Sequence, residues 1–352
     1  MHAFSMFGFL FSIMKYYLLS LGFILLAAVG NATDIYADTL NRLPDSLRAT
    51  GMLVQIHAQE IKVRKEIRAG VQVDDVRLFV EADKKEKEIV FAFPATAVVV
   101  ATGIDVELDK PGELEWEYDL PANEKLQLYI ATASDSAANF TLYSGYVYLA
   151  KQQQWKLIGT CKINGKWGFI KTASGFTAVR KKYPLALQVE QLWAQRINGS
   201  FKEFTVTGAK APVLAPFSNV DSVKQMEADE QQILQMIKEG KTDAATKGND
   251  IYYSIMKEGS GRHVLVTDTV VVFYKGYLLS DGSVFDQTRE KPATFPLNRL
   301  IKGWQLGLPF CKVGGKIKIV IPSGLSYSIR TRAAKIPPNS TLVFEIEVVD
   351  VK

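Results

Sequence analysis

The chain has 352 residues, 47% hydrophobic and 22% charged, with a formal net charge of +5. That length serves about two domains with ordinary cores, and the composition excludes a disordered or fibrous protein. Two cysteines, Cys161 and Cys311, lie far apart, and His2, His57 and His263 show no ligand spacing, so neither a disulfide framework nor a cysteine- or histidine-based metal site is expected.

Residues 1–32 differ in kind from the rest of the chain. The stretch MKYYLLSLGFILLAAVGNA, Met14 to Ala32, carries one lysine, an apolar run from Tyr16 to Val29, and Gly30 and Ala32 at the −3 and −1 positions of a cleavage site. This is the layout of a secretory signal beginning at Met14, with a mature chain starting near Thr33. Read instead from Met1, the apolar run interrupted by Lys15 is long enough for an uncleaved membrane anchor. No cysteine stands at the end of the run, which excludes lipid attachment there. Both readings place the remainder outside the cytoplasm: secreted, periplasmic or in the cell envelope.

From Asp34 to Val206 apolar residues recur mostly with period two, the mark of half-buried strands. ELEWEYDL puts Leu114, Trp116, Tyr118 and Leu120 on one face, KLQLYIA does so with Leu126, Leu128 and Ile130, and YVYLAKQQQWKLIG turns between Leu149 and Trp155. Asn164-Gly165 signals a hairpin, since both residues tolerate positive φ. Several strands with frequent turns predict an all-β sandwich over 33–206. Its aromatics, Trp116, Tyr143, Tyr146, Tyr148, Trp155, Trp167 and Trp193, are spaced to line a sugar-binding face. The same spacing describes a core, and the core is the preferred reading.

Residues 207–220, TGAKAPVLAPFSNV, have two prolines and no sustained period, which predicts a linker. DSVKQMEADEQQILQMIKEG predicts an amphipathic helix over 221–240. Asp221 or Ser222 serves as N-cap, acidic residues occupy the early turns, Met226, Ile233, Leu234 and Ile237 lie on one side, and Gly240 is the stop. The stripe needs a partner, either within the chain, which is preferred, or in a second copy.

Beyond Asp250 the pattern is of short strands with one short helix. DTVVVFYKGYLLSDGSVFDQT reads as two strands joined near Asp281-Gly282. Ile317, Ile319 and Ile321 alternate with lysines, and Leu342, Phe344, Ile346 and Val348 alternate with polar or smaller residues. Four or five antiparallel strands and one helix make an α+β unit. The helix lies in FPLNRLIKGWQLGLPF, Phe295 to Phe310, which contains Gly303 and Gly307. Each glycine costs about 1 kcal/mol in a helix interior, so their presence beside Trp304 points to a close approach by another element or a ligand.

The runs VFYKGYLLSDGSVFDQT, PATFPLNRLIKGWQLGLPFCKVGGKIKIVIPSGLSYS and KIPPNSTLVFEIEVVDV contain YxG, DGxxFD, IxGW, VGGK and IPPxSTLVFEIE in that order. Over about residues 249–352 the chain thereby resembles FKBP-type peptidyl-prolyl cis-trans isomerases. The resemblance implies a strongly twisted antiparallel sheet wrapped around a short helix, prolyl isomerisation without cofactor or metal, and Trp304 as the floor of a proline pocket. Carried across position by position, it implies a catalytic set of Tyr327, Asp286, Phe285 and Trp304. Tyr274, Phe295, Leu300, Ile301, Ile336 and Phe344 complete the substrate-binding wall. In that scheme Phe285, Trp304 and Phe344 enclose the proline ring, while Tyr327 and the Ile301 amide donate to substrate carbonyls. Asp286 holds the pocket rather than transferring a proton. Taken singly, Phe285 and Phe344 also fit plain core packing.

The chemistry agrees with the absence of a Ser-His or Cys-His arrangement. Rotation about a peptide bond faces a barrier of about 18–20 kcal/mol from amide resonance. An apolar box strips water from the carbonyl and favours the twisted, less polar amide, and each 1.36 kcal/mol so gained is about tenfold in rate.

Two departures stand out. Ser328 to Pro338, SIRTRAAKIPP, has no glycine where the family often has several, and Ala293 stands where some members place a pocket aromatic. The loop is expected to be stiff and carries Arg330, Arg332 and Lys335. It weakens the expectation, implied by the family, of a macrolide inhibitor in the same pocket. Nucleic acid is not expected as a partner of a secreted chain. Farther upstream, YSGYVYLAKQQQWKLIGTCKI resembles an uncharacterised family of secreted β-sandwich domains that brings no catalytic motif and suggests a glycan or envelope partner. Two readings are open: an extracytoplasmic prolyl isomerase for proline-containing clients with an accessory sandwich, or a glycan- or surface-binding protein carrying a non-catalytic FKBP-like module.

Overall fold

The computed structural model describes residues 34–37, 41–58, 66–83, 86–120, 123–179, 187–204 and 218–352. The signal or anchor expected over 1–32 and the greater part of the expected linker, 207–217, lie outside the described residues. The described chain is mostly β-strand with few helices. Among the described residues no helix is long and apolar enough to cross a membrane.

The period-two segments build two antiparallel sheets. One has eight strands, in spatial order Asp34–Ala37, Thr172–Val179, Ile67–Val73, Val76–Ala82, Lys87–Ala92, Glu113–Glu117 and Glu107–Lys110, with Asn41–Arg42 also paired to Thr172–Val179. The other has seven: Phe201–Glu203, Leu187–Arg196, Ala49–Ala58, Lys125–Asp135, Phe140–Leu149, Gln154–Asn164 and Val98–Thr102. Val71, Leu78, Ile89, Phe91 and Leu114 from the first share one core with Val54, Ile56, Leu128, Ile130, Val147 and Ile158 from the second. Alternation fails along Phe140–Leu149, where residues 141–147 are all buried. Both faces of that strand are covered, the inner by the facing sheet and the outer by a cluster that includes Ile329 from the far end of the chain.

Asn164 and Gly165 do not close a hairpin. The strand they end belongs to one sheet and the next strand, Thr172–Val179, to the other, so Gly165 at φ 74° and Gly168 at φ 112° carry the chain across the sandwich edge. Nor do the sandwich aromatics share one open face. Tyr143 lies in the inner core, Tyr146, Trp155 and Trp193 pack on the outer face, Trp116 and Tyr148 are partly buried, and Trp167 is 61% exposed.

Helix α1, Ser222–Lys238, comes after a segment bound to the sandwich. Trp155 N–H donates to Ser218 and Val220 N–H to the Trp155 carbonyl. The Asp221 side chain makes no cap hydrogen bond and instead accepts from Lys156 Nζ at 2.8 Å. Burial pushes the Lys156 ammonium pKa down, and the hydrogen bond with Asp221 opposes that shift. The helix buries Gln225, Asp229 and Ile233, whereas Leu234, expected on the apolar stripe, is 49% exposed. The inward line is thus rotated from the apolar one. Asp229 accepts from the Ser323 N–H at 2.6 Å and from Gln225 Nε2 at 2.8 Å, so this polar pair is satisfied inside, although burial still holds the Asp229 carboxyl above its usual range. Ile233 packs with Ala244, Tyr252, Leu279, Val320 and Val343, so the partner of the helix is this chain's own third sheet.

That sheet has seven strands: Thr246–Gly248, Ile251–Lys257, Lys316–Ile321, Leu342–Val351, Thr269–Leu278 and Val284–Gln287, with Ala293–Pro296 also on Thr269–Leu278. It exceeds the expected four or five through short edge strands. Ile317, Ile319, Ile321, Leu342, Ile346 and Val348 are fully buried beneath helix α2, Lys302–Gly307. A side chain on Gly303 would overlap Ile321, and a Cβ on Gly307 would stand 3.0 Å from Ile319. The glycines seat the helix on the sheet. Residues Asp34–Lys352 hold together as one compact unit.

Candidate active site

The floor of the site comes from the seating of α2. Trp304 is buried at 4% exposure and meets its neighbours edge to face: Phe344 at 5.2 Å and 85°, Tyr274 at 5.5 Å and 81°, Phe295 at 6.4 Å and 86°. Phe285 stands against Phe344 at 5.5 Å and 78°. Such T-shaped pairs are the favourable ring geometry, and none of them stacks on the indole. Gly276 makes room at the back, since a Cβ there would lie 2.6 Å from Phe285 and 2.8 Å from Phe344.

These rings, with Leu300, Ile301, Tyr327, Ile336 and Asp286, surround a cavity of about 560 Å³. Every residue proposed from the sequence lies on it. The volume falls within the usual range for small-ligand sites.

Polar groups are few and differ in availability. The Tyr274 hydroxyl donates to Asp286 Oδ2 at 2.6 Å, and burial together with that carboxylate pushes the Tyr274 phenol pKa well up. Asp286 is therefore engaged in holding the wall. The Tyr327 ring carries the Arg332 guanidinium 5.5 Å from its centroid; among the described residues nothing accepts from its hydroxyl. The Ile301 N–H, at the N-cap of α2 where helix donors have no intrahelical partner, likewise has no acceptor among the described residues. Two donors on an apolar wall can hold substrate carbonyls without a nucleophile.

The cavity also includes residues that sequence reasoning missed. Ala333, Ala334 and Lys335 come from the glycine-free loop, and Ser134 and Asp135 come from the sandwich. The loop bends sharply at Ser328, which takes φ 52°, an uncommon conformation for a residue other than glycine. It then drives Ile329, with no exposed surface, among Leu53, Tyr129, Tyr146, Trp155 and Trp193 on the outer face of the seven-stranded sandwich sheet. The Tyr146 hydroxyl donates to the Ile329 carbonyl at 2.7 Å and shares a 2.6 Å hydrogen bond with the Thr331 hydroxyl, which in turn reaches Ser144 at 2.6 Å. Burial pushes the Tyr146 phenol pKa up to about 12. The isoleucine within a run of polar and basic residues is the one signal the sequence held of this docking.

An aromatic cavity floored by a helix-borne tryptophan thus sits against an antiparallel sheet. Residues 260–349 match the family model of the FKBP-type peptidyl-prolyl cis-trans isomerases, and this region of the chain is of that type. Over 111 residues the chain is 45% identical to a probable FKBP-type peptidyl-prolyl cis-trans isomerase of Haemophilus influenzae, covering 31% of this chain and 46% of the relative. Over 109 residues it is 47% identical to the FKBP-type isomerase FkpA of Escherichia coli, covering 30% of this chain and 40% of the relative. The chain thus spans less than half the length of these curated relatives. Among solved structures, the crystal structure of FkpA from Escherichia coli is 40% identical, covers 38% of this chain and 63% of its own, and gives a TM-score of 0.32. A peptidyl-prolyl isomerase structure from Pseudomonas syringae is 29% identical, covers 41% and 99%, and gives 0.33.

Proposed function

We propose that the chain is an extracytoplasmic peptidyl-prolyl cis-trans isomerase that assists the folding of secreted or envelope proteins, with a β-sandwich fused to its FKBP-type unit. The observation that carries this reading is the aromatic cavity around Trp304, with the unengaged Tyr327 hydroxyl and Ile301 amide on its wall. A proline ring set between Phe285, Trp304 and Phe344 loses its water, and the amide before it is pushed towards the twisted, less polar geometry of the transition state. Tyr327 and Ile301 fix the flanking carbonyls, and Asp286 keeps Tyr274 in place. Clients are proline-containing polypeptides, and a macrolide filling the same cavity would compete with them. A location outside the cytoplasm is supported by the signal layout of Met14–Ala32.

Uncatalysed prolyl isomerisation takes tens to hundreds of seconds, so a proline tetrapeptide assay on the full chain tests the proposal. The rate is expected to rise in proportion to enzyme at micromolar concentration. A flat response would leave the reading of a glycan- or surface-binding protein with a non-catalytic module. For location, N-terminal sequencing of protein from its host is expected to give a first residue near Thr33, and a chain beginning at Met1 would overturn the cleaved-signal reading.

A further inference from the structure

The cavity is not made by the FKBP-type region alone. Asp135 closes the strand Lys125–Asp135 of the sandwich, just before the turn into Phe140–Leu149, and with Ser134 it lines the same cavity as Trp304, Tyr327 and Ile336. The Ser134 hydroxyl is committed to Thr141 Oγ1 at 2.7 Å and the Gly168 carbonyl at 2.9 Å. Asp135 Oδ1 accepts from the Ala137 and Ala138 N–H groups at 2.9 and 3.0 Å, an aspartate turn that fixes the carboxylate. Among the described residues its second oxygen has no partner, and no cation lies within ion-pair distance of it. The other charges at the cavity are Asp286, engaged by Tyr274, the exposed Lys335, and just behind the wall the Arg332 guanidinium, 5.5 Å from the Tyr327 ring centroid. Ile329 and Thr331 bind the pocket loop to the same sandwich sheet, so the wall that carries Asp135 is held against the pocket.

We propose that Asp135, a residue of the sandwich, is a specificity-determining residue of this pocket that favours polypeptides with Lys or Arg beside the proline. The inference rests on the isomerase reading for its biological meaning, while the preference itself is a property of binding. A fixed carboxylate with a free oxygen at the edge of an apolar cavity attracts a cation and repels an anion. At a partly solvated separation of several ångströms that difference is worth about threefold to tenfold between the two.

The test measures binding of tetrapeptides with Lys, Leu or Glu on either side of proline to the full chain by calorimetry, beside isomerisation of the same peptides. The wild-type chain is expected to bind a Lys peptide about threefold to tenfold more tightly than its Glu counterpart, a ratio that shrinks with added salt. Asp135→Asn keeps the acceptor for the turn amides while removing the charge, so it folds, and its Lys-to-Glu ratio is expected to approach one; Asp135→Lys should invert it. Equal ratios in the wild type and Asp135→Asn, or no Lys preference in the wild type, would overturn the inference even if isomerisation is fast. Conversely, a preference lost in Asp135→Asn but without turnover of any peptide would sustain it and remove the isomerase reading.

Discussion

Two clusters of aromatic rings in this chain share their residue types and have opposite fates. Trp304, Tyr274, Phe295, Phe285 and Phe344 enclose an open cavity, whereas Tyr129, Tyr146, Trp155 and Trp193 on the sandwich are closed by Ile329. The rings alone do not decide between pocket and socket. What decides is the element that arrives next: α2 brings a tryptophan under the first cluster and nothing to fill it, while the pocket loop brings an isoleucine into the second. The filled cluster holds the loop that borders the open one, so the two are parts of one construction.

The largest expected effects come from emptying either cluster. Trp304→Ala removes the floor of a buried site and should cost about 3–5 kcal/mol of stability, read by denaturant unfolding. Ile329→Ala empties the socket and should cost about 2–5 kcal/mol, with Ile329→Val at about 0.5–1.5 kcal/mol as the graded control. Ile329 does not line the cavity, so a tightly bound loop predicts that Ile329→Ala also weakens peptide binding in chains verified as folded. Unchanged peptide affinity would show that the socket and the pocket are independent.

A smaller effect is expected from closing the gap that lets α2 approach. Gly303→Ala places a methyl group within the Ile321 side chain, and overpacking of this kind costs about 1–3 kcal/mol. Smaller again is Tyr146→Phe, which deletes the donor to the Ile329 carbonyl and should cost about 0.5–1.5 kcal/mol in thermal or denaturant unfolding. A loss in Tyr146→Phe as large as that in Ile329→Ala would mean that the hydrogen bonds, rather than the apolar plug, hold the loop.

The same contrasts explain which features are legible in the sequence. The open cluster is, because its residues fall in an ordered set of short motifs between Tyr274 and Phe344, close enough in sequence to be recognised together. The filled one is not, because its plug is a single isoleucine brought from the opposite end of the chain, and both faces of Phe140–Leu149 are buried where alternation would leave one exposed. Helix α1 misleads for a related reason: Gln225 and Asp229 satisfy each other and Ser323 inside the interface, so a buried face looks polar. Asn164-Gly165 has the residues of a hairpin, but such a turn does not specify which sheet receives the next strand. Asp135 reads as an ordinary turn residue, and only the docked loop brings it to the pocket.

An effect of similar size at the pocket bears most directly on mechanism. If desolvation by the aromatic box drives isomerisation, the shape of the box should outrank any single hydrogen bond. Tyr327→Phe deletes one donor worth about 0.5–1.5 kcal/mol, so kcat/KM for a proline peptide should fall roughly threefold to tenfold, with folding unchanged because the hydroxyl has no acceptor among the described residues. Trp304→Leu is the matched comparison, since it keeps an apolar floor while altering its shape, and it should fold and retain partial activity. Should Tyr327→Phe abolish turnover while Trp304→Leu leaves it intact, the order of the two effects would be reversed. The tyrosine hydroxyl would then have to act as an acid in the reaction, and the box would be a frame for it rather than the source of the rate.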